Sequence, residues 1–311
     1  MIDIVGKRHI FYIISLALIL PGVISLLIPP GLRLAVDFTG GTLWELRFEQ
    51  TVAPGEVRDV LGEFEYGDAI VQTTGDRGVL IRAKEIRAED DGKAAIVVRL
   101  TERFGRFEEL RFETVGPIVS QEIAARALAA VGLASVAILL FVAWAFRSVE
   151  HAVRYGVCAI IALLHDALLV LGMFSILGKL YFVEVDSLFV TAMLTVIGFS
   201  VHDTIVVFDR IRENVRRYNN LPFDVVANHS IMQTIGRSMT TSLTAAFTLL
   251  ALIIFGGITT KLFALTLLAG MISGTYSSVF NAAALLVSWE KGELARLAFW
   301  RRRNRVMAST T

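Results

Sequence analysis

The sequence contains a single cysteine, Cys158, among its 311 residues. A lone thiol can form neither an internal disulfide nor a cysteine-based metal site. We also find no H-E-x-x-H pair for zinc and no G-x-G-D motif of an intramembrane aspartyl protease. These absences argue against an enzyme and predict a chain without a metal ion or an organic cofactor.

Charged residues are also scarce, at 19% of the chain against about 25% in ordinary soluble domains, while 55% of the residues are hydrophobic. The apolar residues lie in blocks of roughly 18–28, the length that crosses about 30 Å of hydrocarbon as a helix. We therefore predict a multi-pass α-helical membrane protein with six transmembrane helices. We place these helices at residues 10–28, 123–146, 153–177, 184–208, 238–256 and 261–288.

The positive charges predict the orientation. Lys and Arg precede the first span, follow the second and fourth spans and fill the tail, whereas the opposite short loops hold only Lys179 and Lys261. The positive-inside rule then puts both termini in the cytoplasm. Anionic lipid explains the basic tail without any need for nucleic acid. The predicted divisions are an N-terminus with an uncleaved first helix (1–29), an external domain (30–122), five further helices (123–290) with a cytoplasmic loop (209–236), and the tail (291–311).

The external domain has 18 acidic against 12 basic residues, a net charge of −6. Its apolar periodicity predicts a strand over 34–48 that is interrupted by glycines, then a helix, two short strands, a second helix and a last strand. The order β-α-β-β-α-β is that of an α+β ferredoxin-like domain. We expect it to contact a partner or an exported chain, and a purely structural lid is the alternative.

Ionisable groups at membrane depth are costly and indicate function. Asp203 in the fourth span lies about two turns from the charged end, and Asp166 lies in the third span. We predict that both couple protons to conformational change, with Arg237 as a movable cation. Four hydroxyl groups are predicted to support them: Ser200, Thr204, Thr241 and Thr244.

Three weaker patterns have plainer interpretations. His165 and His202 are interpreted as interior imidazoles that neighbouring groups satisfy. Gly270 and Gly274 form a G-x-x-x-G pattern that predicts close helix packing. The amphipathic residues 223–235 either lie at the membrane surface or pack under the bundle.

Several motifs together resemble the SecD/SecF family of protein-export membrane proteins. Residues 36–42 (VDFTGGT) resemble its D-F-x-G-G-T motif, and 115–122 (VGPIVSQE) resemble its V-G-P segment. Residues 198–214 and 237–242 resemble the family's fourth-span and fifth-span motifs, so the match covers nearly the whole chain. The motif residues Asp37, Gly40, Gly41, Gly116 and Pro117 are expected to be structural.

The resemblance implies one half of an RND-superfamily membrane unit in a bacterial plasma (inner) membrane, with protons as the coupling ion. It also implies SecD, the SecYEG channel and a translocating polypeptide as partners, together with YajC and SecA-dependent machinery. By motif position, Asp203 and Arg237 take the family's proton-pathway roles. Two alternatives stay open: a small-molecule or lipid exporter subunit, and a non-conducting assembly scaffold.

Overall fold

The computed structural model describes residues 3–86, 91–147 and 151–293. Most of the predicted basic tail, from position 294 on, therefore lies outside the described residues. In chain order the elements are α1 (Arg8–Leu27), α2 (Val36–Thr39), β1 (Gly41–Phe48), α3 (Pro54–Gly62), β2 (Ile70–Thr74), β3 (Gly78–Ala83), α4 (Asp91–Phe104), β4 (Phe107–Val115), α5 (Pro117–Phe146), α6 (Ala152–Tyr181), α7 (Ser187–Arg217), α8 (Phe223–Phe255), α9 (Ile258–Tyr276), a π-helical segment (Ser277–Ala282) and α10 (Ala283–Glu290).

Six helices in the described part of the chain are long and apolar enough to cross a membrane. They are α1, α5, α6, α7, α8 and the continuous stretch Thr260–Glu290, which runs from α9 through the π-helical segment into α10. This confirms the predicted multi-pass fold with six helices.

Helices α7 and α8 occupy nearly all of the segment 209–236 between the fourth and fifth spans, and its cytoplasmic location stays a prediction. Charged residues continue α7 as a helix, since Arg210 pairs with Glu213 at 2.6 Å one turn away. Pro222 then precedes α8, where a proline is well tolerated. The amphipathic segment is the first part of α8, and its side chains Val226 and Ile231 are buried in the helical bundle.

The chain forms two compact units. The helical unit contains residues up to Arg33, Val131–Val183 and the chain from Leu188 onward, and the sheet unit contains Leu34–Ala130 with Glu184–Ser187. Compared with the predicted 30–122, the sheet unit thus begins at Leu34, ends at Ala130 and includes three residues of the α6–α7 connection together with Ser187, the first residue of α7.

The sheet unit has the predicted ferredoxin-like topology. Its four strands lie in the order β2-β3-β1-β4, and each neighbouring pair is antiparallel. One face of the sheet carries the core, in which Trp44, Leu46 and Ile81 are fully buried together with Ile96 and Leu100 of α4. The apolar stripe predicted for this helix therefore packs against the sheet.

The glycine motif at the start of this unit folds differently from the prediction. The expected strand over 34–48 begins only at Gly41, because Val36–Thr39 forms one turn of helix. Gly40 and Gly41 then have backbone φ angles of 71° and 104°, which residues with a Cβ atom rarely adopt. A Cβ at Gly41 would also lie 2.6 Å from the Ala83 carbonyl oxygen. The glycines are needed for this sharp entry into β1.

Asp37 of the same motif caps the start of α7. Its Oδ2 accepts hydrogen bonds from the Ser187 backbone N–H at 2.9 Å and from the Ser187 hydroxyl at 2.5 Å. Asp37 therefore satisfies a backbone donor that the helix itself leaves unpaired. This contact gives the motif a structural role within the sheet unit.

In the helical unit, the start of α1, the start of α8 and the end of α10 meet at one end of the bundle. The Asn228 side chain accepts from the Ile4 backbone N–H at 2.9 Å, and Arg8 forms an ion pair with Glu293. Arg154 at the start of α6 pairs with Glu290 at 2.6 Å. The described parts of the N-terminus, of the start of α6, of the start of α8 and of the end of α10, all of which adjoin positive charges used to predict orientation, thus lie at a common end.

Helices α1 and α6 cross at a pair of glycines. A Cβ added to Gly22 would lie 2.7 Å from the Gly172 Cα, and one added to Gly172 would lie 2.6 Å from the Gly22 Cα. Real Cβ atoms do not approach backbone so closely, so the two backbones touch only because both residues lack side chains.

We expect Gly22→Ala to push α1 away from α6 and to destabilise the helical unit by about 1–3 kcal/mol, the usual cost of overpacking. The thermal unfolding midpoint of the purified protein in detergent measures this loss. Gly132→Ala in α5 is the matched control, because the position of its Cβ is open. Equal midpoints for the two variants would contradict a close glycine crossing.

Candidate functional site

The Asp166 carboxylate lies in the core of the helical unit and is 1% exposed. Its Oδ2 accepts hydrogen bonds from the hydroxyls of Ser200 and Ser277, both at 2.6 Å. Its Oδ1 accepts from the Ser273 hydroxyl at 2.6 Å and lies 2.9 Å from His165 Nδ1. Four groups from α6, α7, α9 and the π-helical segment thus fill the acceptor capacity of this carboxylate.

The π-helical segment makes part of this arrangement possible. Its first two residues, Ser277 and Ser278, hydrogen-bond in different directions. Ser277 donates to Asp166 of α6, and the Ser278 hydroxyl lies 2.8 Å from the Thr204 hydroxyl of α7. Short π-helical turns inside α-helices frequently occur at functional sites.

Asp203 is also buried, at 5% exposed, but it has fewer donors. The Thr275 hydroxyl donates to its Oδ2 at 3.3 Å, and the Ser242 hydroxyl of α8 lies 2.6 Å from that of Thr275. Among the described residues, neither Asp203 nor Asp166 forms an ion pair with a Lys or Arg. A buried carboxylate without a cationic partner is costly when ionised unless hydrogen-bond donors stabilise its charge, and Asp203 has fewer of these donors than Asp166.

The structure brings the predicted hydroxyl groups to different places. Ser200 contacts Asp166 rather than Asp203, and Thr204 contacts Ser278. Thr241 and Thr244 are exposed, and each hydroxyl donates to a carbonyl one turn back in its own helix, at 3.0 and 2.9 Å. Their support of Asp203 stays a prediction.

Arg237 lies on the same exposed face of α8. No described carboxylate lies within ion-pair distance of its guanidinium group. The buried face of α8 carries Ser238 and Ser242 instead, one residue further along the helix. The structure therefore does not bring Arg237 and Asp203 together, and their pairing stays a prediction.

The sequence interpretation missed the serine and threonine partners on the last span. Ser273, Thr275, Ser277 and Ser278 all contact the two carboxylates or their neighbours. The signal that could have found them is the G-x-x-x-G pattern. As it predicts, that face packs closely, because a Cβ at Gly274 would lie 3.2 Å from the Ser200 Cβ.

Two family models match the chain. The C-terminal model of the protein export membrane proteins SecD and SecF matches residues 96–292, and the SecD/SecF GG motif matches residues 25–52.

Individual relatives agree with these matches. The chain is 54% identical to protein translocase subunit SecF of Thermobaculum terrenum, over 96% of each chain. It is 49% identical to the same subunit of Anaerolinea thermophila, over 94% of this chain and 96% of that one.

A solved structure shares the fold. The crystal structure of SecDF from Thermus thermophilus, described as a translocon-associated membrane protein, superposes with a TM-score of 0.78 at 32% identity. The match covers 93% of this chain but only 39% of that one.

Proposed function

This chain belongs to the SecD/SecF family of protein export membrane proteins, and from that premise we propose that it is a proton-coupled subunit of a protein translocase. The observation that carries the coupling is the presence of two buried carboxylates, Asp166 and Asp203, without a described Lys or Arg as an ion-pair partner. A proton that binds or leaves such a group changes the charge of the bundle core. A membrane potential of 100 mV supplies about 2.3 kcal/mol for each charge that crosses.

We propose a SecD-type chain as the membrane partner. The matched SecDF chain is more than twice as long as this one, since only 39% of it is covered. Helices α5 and α8 have large exposed apolar faces, and only 6% and 11% of their most apolar stretches are buried. A partner helix against α8 would cover the face that carries Arg237, Thr241 and Thr244.

The coupling step that we propose is a movement of α8 relative to α7. Ser242 already links α8 to Asp203 through Thr275. A rotation of α8 would replace this hydroxyl contact by the Arg237 guanidinium group, which favours the ionised carboxylate. The reverse movement would favour the protonated form, so proton release and helix position would be linked.

We propose that the sheet unit contacts a polypeptide that emerges from the SecYEG channel. The sheet unit contains no histidine, and in its described part no three His, Cys, Asp or Glu side chains are grouped to hold a metal ion. We propose that it acts by surface contact and not by chemistry.

A secretion assay tests the proposal. In cells depleted of this chain, we expect reintroduction to restore secretion of a reporter, and we expect an uncoupler to remove the restored part. Restoration that survives the uncoupler would contradict proton coupling and favour the scaffold alternative.

We further propose a bacterial plasma membrane location with both termini in the cytoplasm. In a Cys158→Ser background, Asp76→Cys in the sheet unit should react with an impermeant maleimide added to whole cells. Asn220→Cys, between α7 and α8, should react only after the membrane is opened. Both positions are exposed, so an externally labelled position 220 would overturn this topology.

A further inference from the structure

The first residue of α7 is held inside the sheet unit. Asp37 Oδ2 accepts hydrogen bonds from the Ser187 backbone N–H at 2.9 Å and from the Ser187 hydroxyl at 2.5 Å. Residues 184–187, which complete the α6–α7 connection and begin α7, belong to the sheet unit, whereas α7 from Leu188 onward belongs to the helical unit. The boundary between the two units therefore lies inside an α-helix and not in a loop.

Three further contacts hold this short segment in the sheet unit. The Ala35 backbone N–H donates to the Val185 carbonyl at 2.9 Å, and Leu34 pairs with Val185 in a parallel β-bridge. Ala35 and Val185 are both buried. Glu184 forms an ion pair with Arg82 of β3. Together with the bonds to Ser187, these contacts fix the segment from its first residue to its last.

The carboxylate of Asp37 suits the end of a helix. The first backbone N–H groups of an α-helix have no partners within the helix and together carry a partial positive charge. A carboxylate at this place accepts a hydrogen bond and is also attracted by that charge. The one-turn helix α2 that presents Asp37 is anchored by the buried side chain of Val36. Asp37 is thus a positioning residue for the start of α7.

Helix α7 connects this cap to the candidate proton site. It is one uninterrupted α-helix of 31 residues without a proline, Ser187–Arg217. At 1.5 Å per residue, Asp203 lies about 24 Å along the helix from Ser187. On the same helix, Ser200 donates to Asp166 at 2.6 Å. One helix therefore carries one buried carboxylate, contacts the other and has its first residue fixed in the sheet unit.

A second helix crosses the same boundary but reaches neither carboxylate. The sheet unit includes α5 up to Ala130, and the helical unit continues it from Val131. Only 6% of the most apolar stretch of α5 is buried, against 44% for α7. Among the described residues, the hydrogen bonds to Asp166 and Asp203 come from other helices. A change of charge at the carboxylates thus acts directly on α7 and only indirectly on α5.

We propose that α7 transmits proton binding in the helical unit to the sheet unit, with Asp37 as the positioning residue that holds the transmitting end. When Asp203 gains or loses a proton, its hydrogen bonds change and α7 shifts relative to α8. Ser187 moves with its helix, and the bonds to Asp37 pass the movement to the sheet unit. This inference rests on the proposed proton coupling and adds the element that carries it to the sheet unit.

Energy transfer between two fluorophores measures whether the sheet unit responds to proton binding. In a Cys158→Ser background of the full chain with its partner in vesicles, Asp76→Cys in the sheet unit and Lys261→Cys on α9 carry the fluorophores, and both positions are exposed. We expect an imposed proton gradient to shift the transfer efficiency, and Asp203→Asn to prevent the shift. An efficiency that does not respond to the gradient while Asp37 and Asp203 are intact would overturn the proposal.

Variants of Asp37 separate a transmitting role from a purely structural one. Asp37→Ala should abolish the shift, and Asp37→Asn should retain part of it, because the amide oxygen can still accept from the Ser187 N–H. Amide hydrogen exchange at the start of α7 should become about fivefold faster in Asp37→Ala, the change that loss of a typical helix cap brings. Asp68→Ala is the matched control, since this aspartate of the sheet unit pairs with Lys84 at 2.6 Å and should leave the shift unchanged.

A full shift in Asp37→Ala, with the faster exchange that shows a broken cap, would make Asp37 a structural cap only and would refute the proposal. Loss of the shift in Asp68→Ala as well would refute it too, because general weakening of the sheet unit would then be the cause. Ser187→Ala removes only the hydroxyl bond and should reduce the shift even if Asp37→Ala does not fold. None of these measurements depends on export, so a failure of the proposed function would be seen separately, in the secretion assay on the unsubstituted chain.

Discussion

Asp203→Asn is expected to abolish the gradient-dependent part of export while leaving the level of the chain and its association with SecD close to normal. The amide keeps the shape of the carboxyl and can still accept from Thr275, but it cannot bind and release a proton. A proton that crosses a membrane potential of 100 mV releases about 2.3 kcal/mol, which can shift a conformational equilibrium by roughly fiftyfold. We therefore expect the uncoupler-sensitive component of export to be lost, not merely reduced.

Asp209→Asn is the matched control for this experiment. Asp209 lies on the same helix and is exposed, where it pairs with Arg212 at 2.5 Å. Its loss should leave gradient-dependent export unchanged, since surface pairs of this kind contribute little. Normal gradient-dependent export by Asp203→Asn would remove Asp203 from the mechanism and leave Asp166 as the next candidate.

Variants of Arg237 test whether it acts together with Asp203. Arg237→Lys keeps the charge but loses the planar fork, so it should impair export less than Arg237→Met does. When either Arg237 variant is combined with Asp203→Asn, the effects should not add, because the cation then has no ionisable partner. Uncoupler-sensitive export that stays normal in Arg237→Met would show that Asp203 works without Arg237.

Trp44→Ala is expected to unfold the sheet unit and to abolish export stimulation without preventing membrane insertion. The indole is fully buried, donates to Glu109 at 2.9 Å and packs edge-on against Phe112. Removing such a side chain costs about 3–5 kcal/mol, whereas a small domain is stabilised by only about 0.05–0.15 kcal/mol per residue. The ratio of folded to unfolded sheet unit should therefore fall by a factor on the order of a hundred or more.

Limited proteolysis from outside the membrane measures unfolding of the sheet unit, and a secretion assay on the same cells measures its consequence. Ile70→Ala is the matched control, because this side chain is 55% exposed at the sheet edge and its loss removes little packing. If the sheet unit became protease-sensitive in Trp44→Ala while export stayed normal, the unit would be dispensable and surface contact would not be its task.

The fold was largely predictable because its two signals are strong. Apolar blocks long enough to span a bilayer have few alternatives to helices, and the strand and helix periods of the sheet unit alternate clearly. The strand predicted over 34–48 was wrong at its start, because Val36–Thr39 forms one helical turn ahead of the two glycines. The charged residues 209–217 continue α7 because their i, i+3 ion pairs and the absence of glycine and proline favour helix.

The candidate site was predictable in its acids but not in their partners. Asp166 and Asp203 stand out because carboxylates are rare at membrane depth. Which hydroxyl reaches which carboxylate depends on helix rotation, which spacing along a single helix does not determine. Arg237 and Thr241 do share one face of α8. That face is turned by one residue, about 100°, from the buried face that carries Ser238 and Ser242.

The π-helical turn at Ser277–Ala282 sets the phase of everything that follows it in the last span. A turn closed by i→i+5 bonds takes up one more residue than an α-helical turn, so this segment accommodates an extra residue without changing the direction in which α10 faces. Each α-helical residue turns the chain by about 100°, so deletion of one residue from α10 ahead of Ser288 would rotate Ser288, whose hydroxyl accepts from Arg8 Nε at 3.2 Å, away from α1. The last span can therefore accept substitutions along its length far more readily than a change of one residue in its α-helical part.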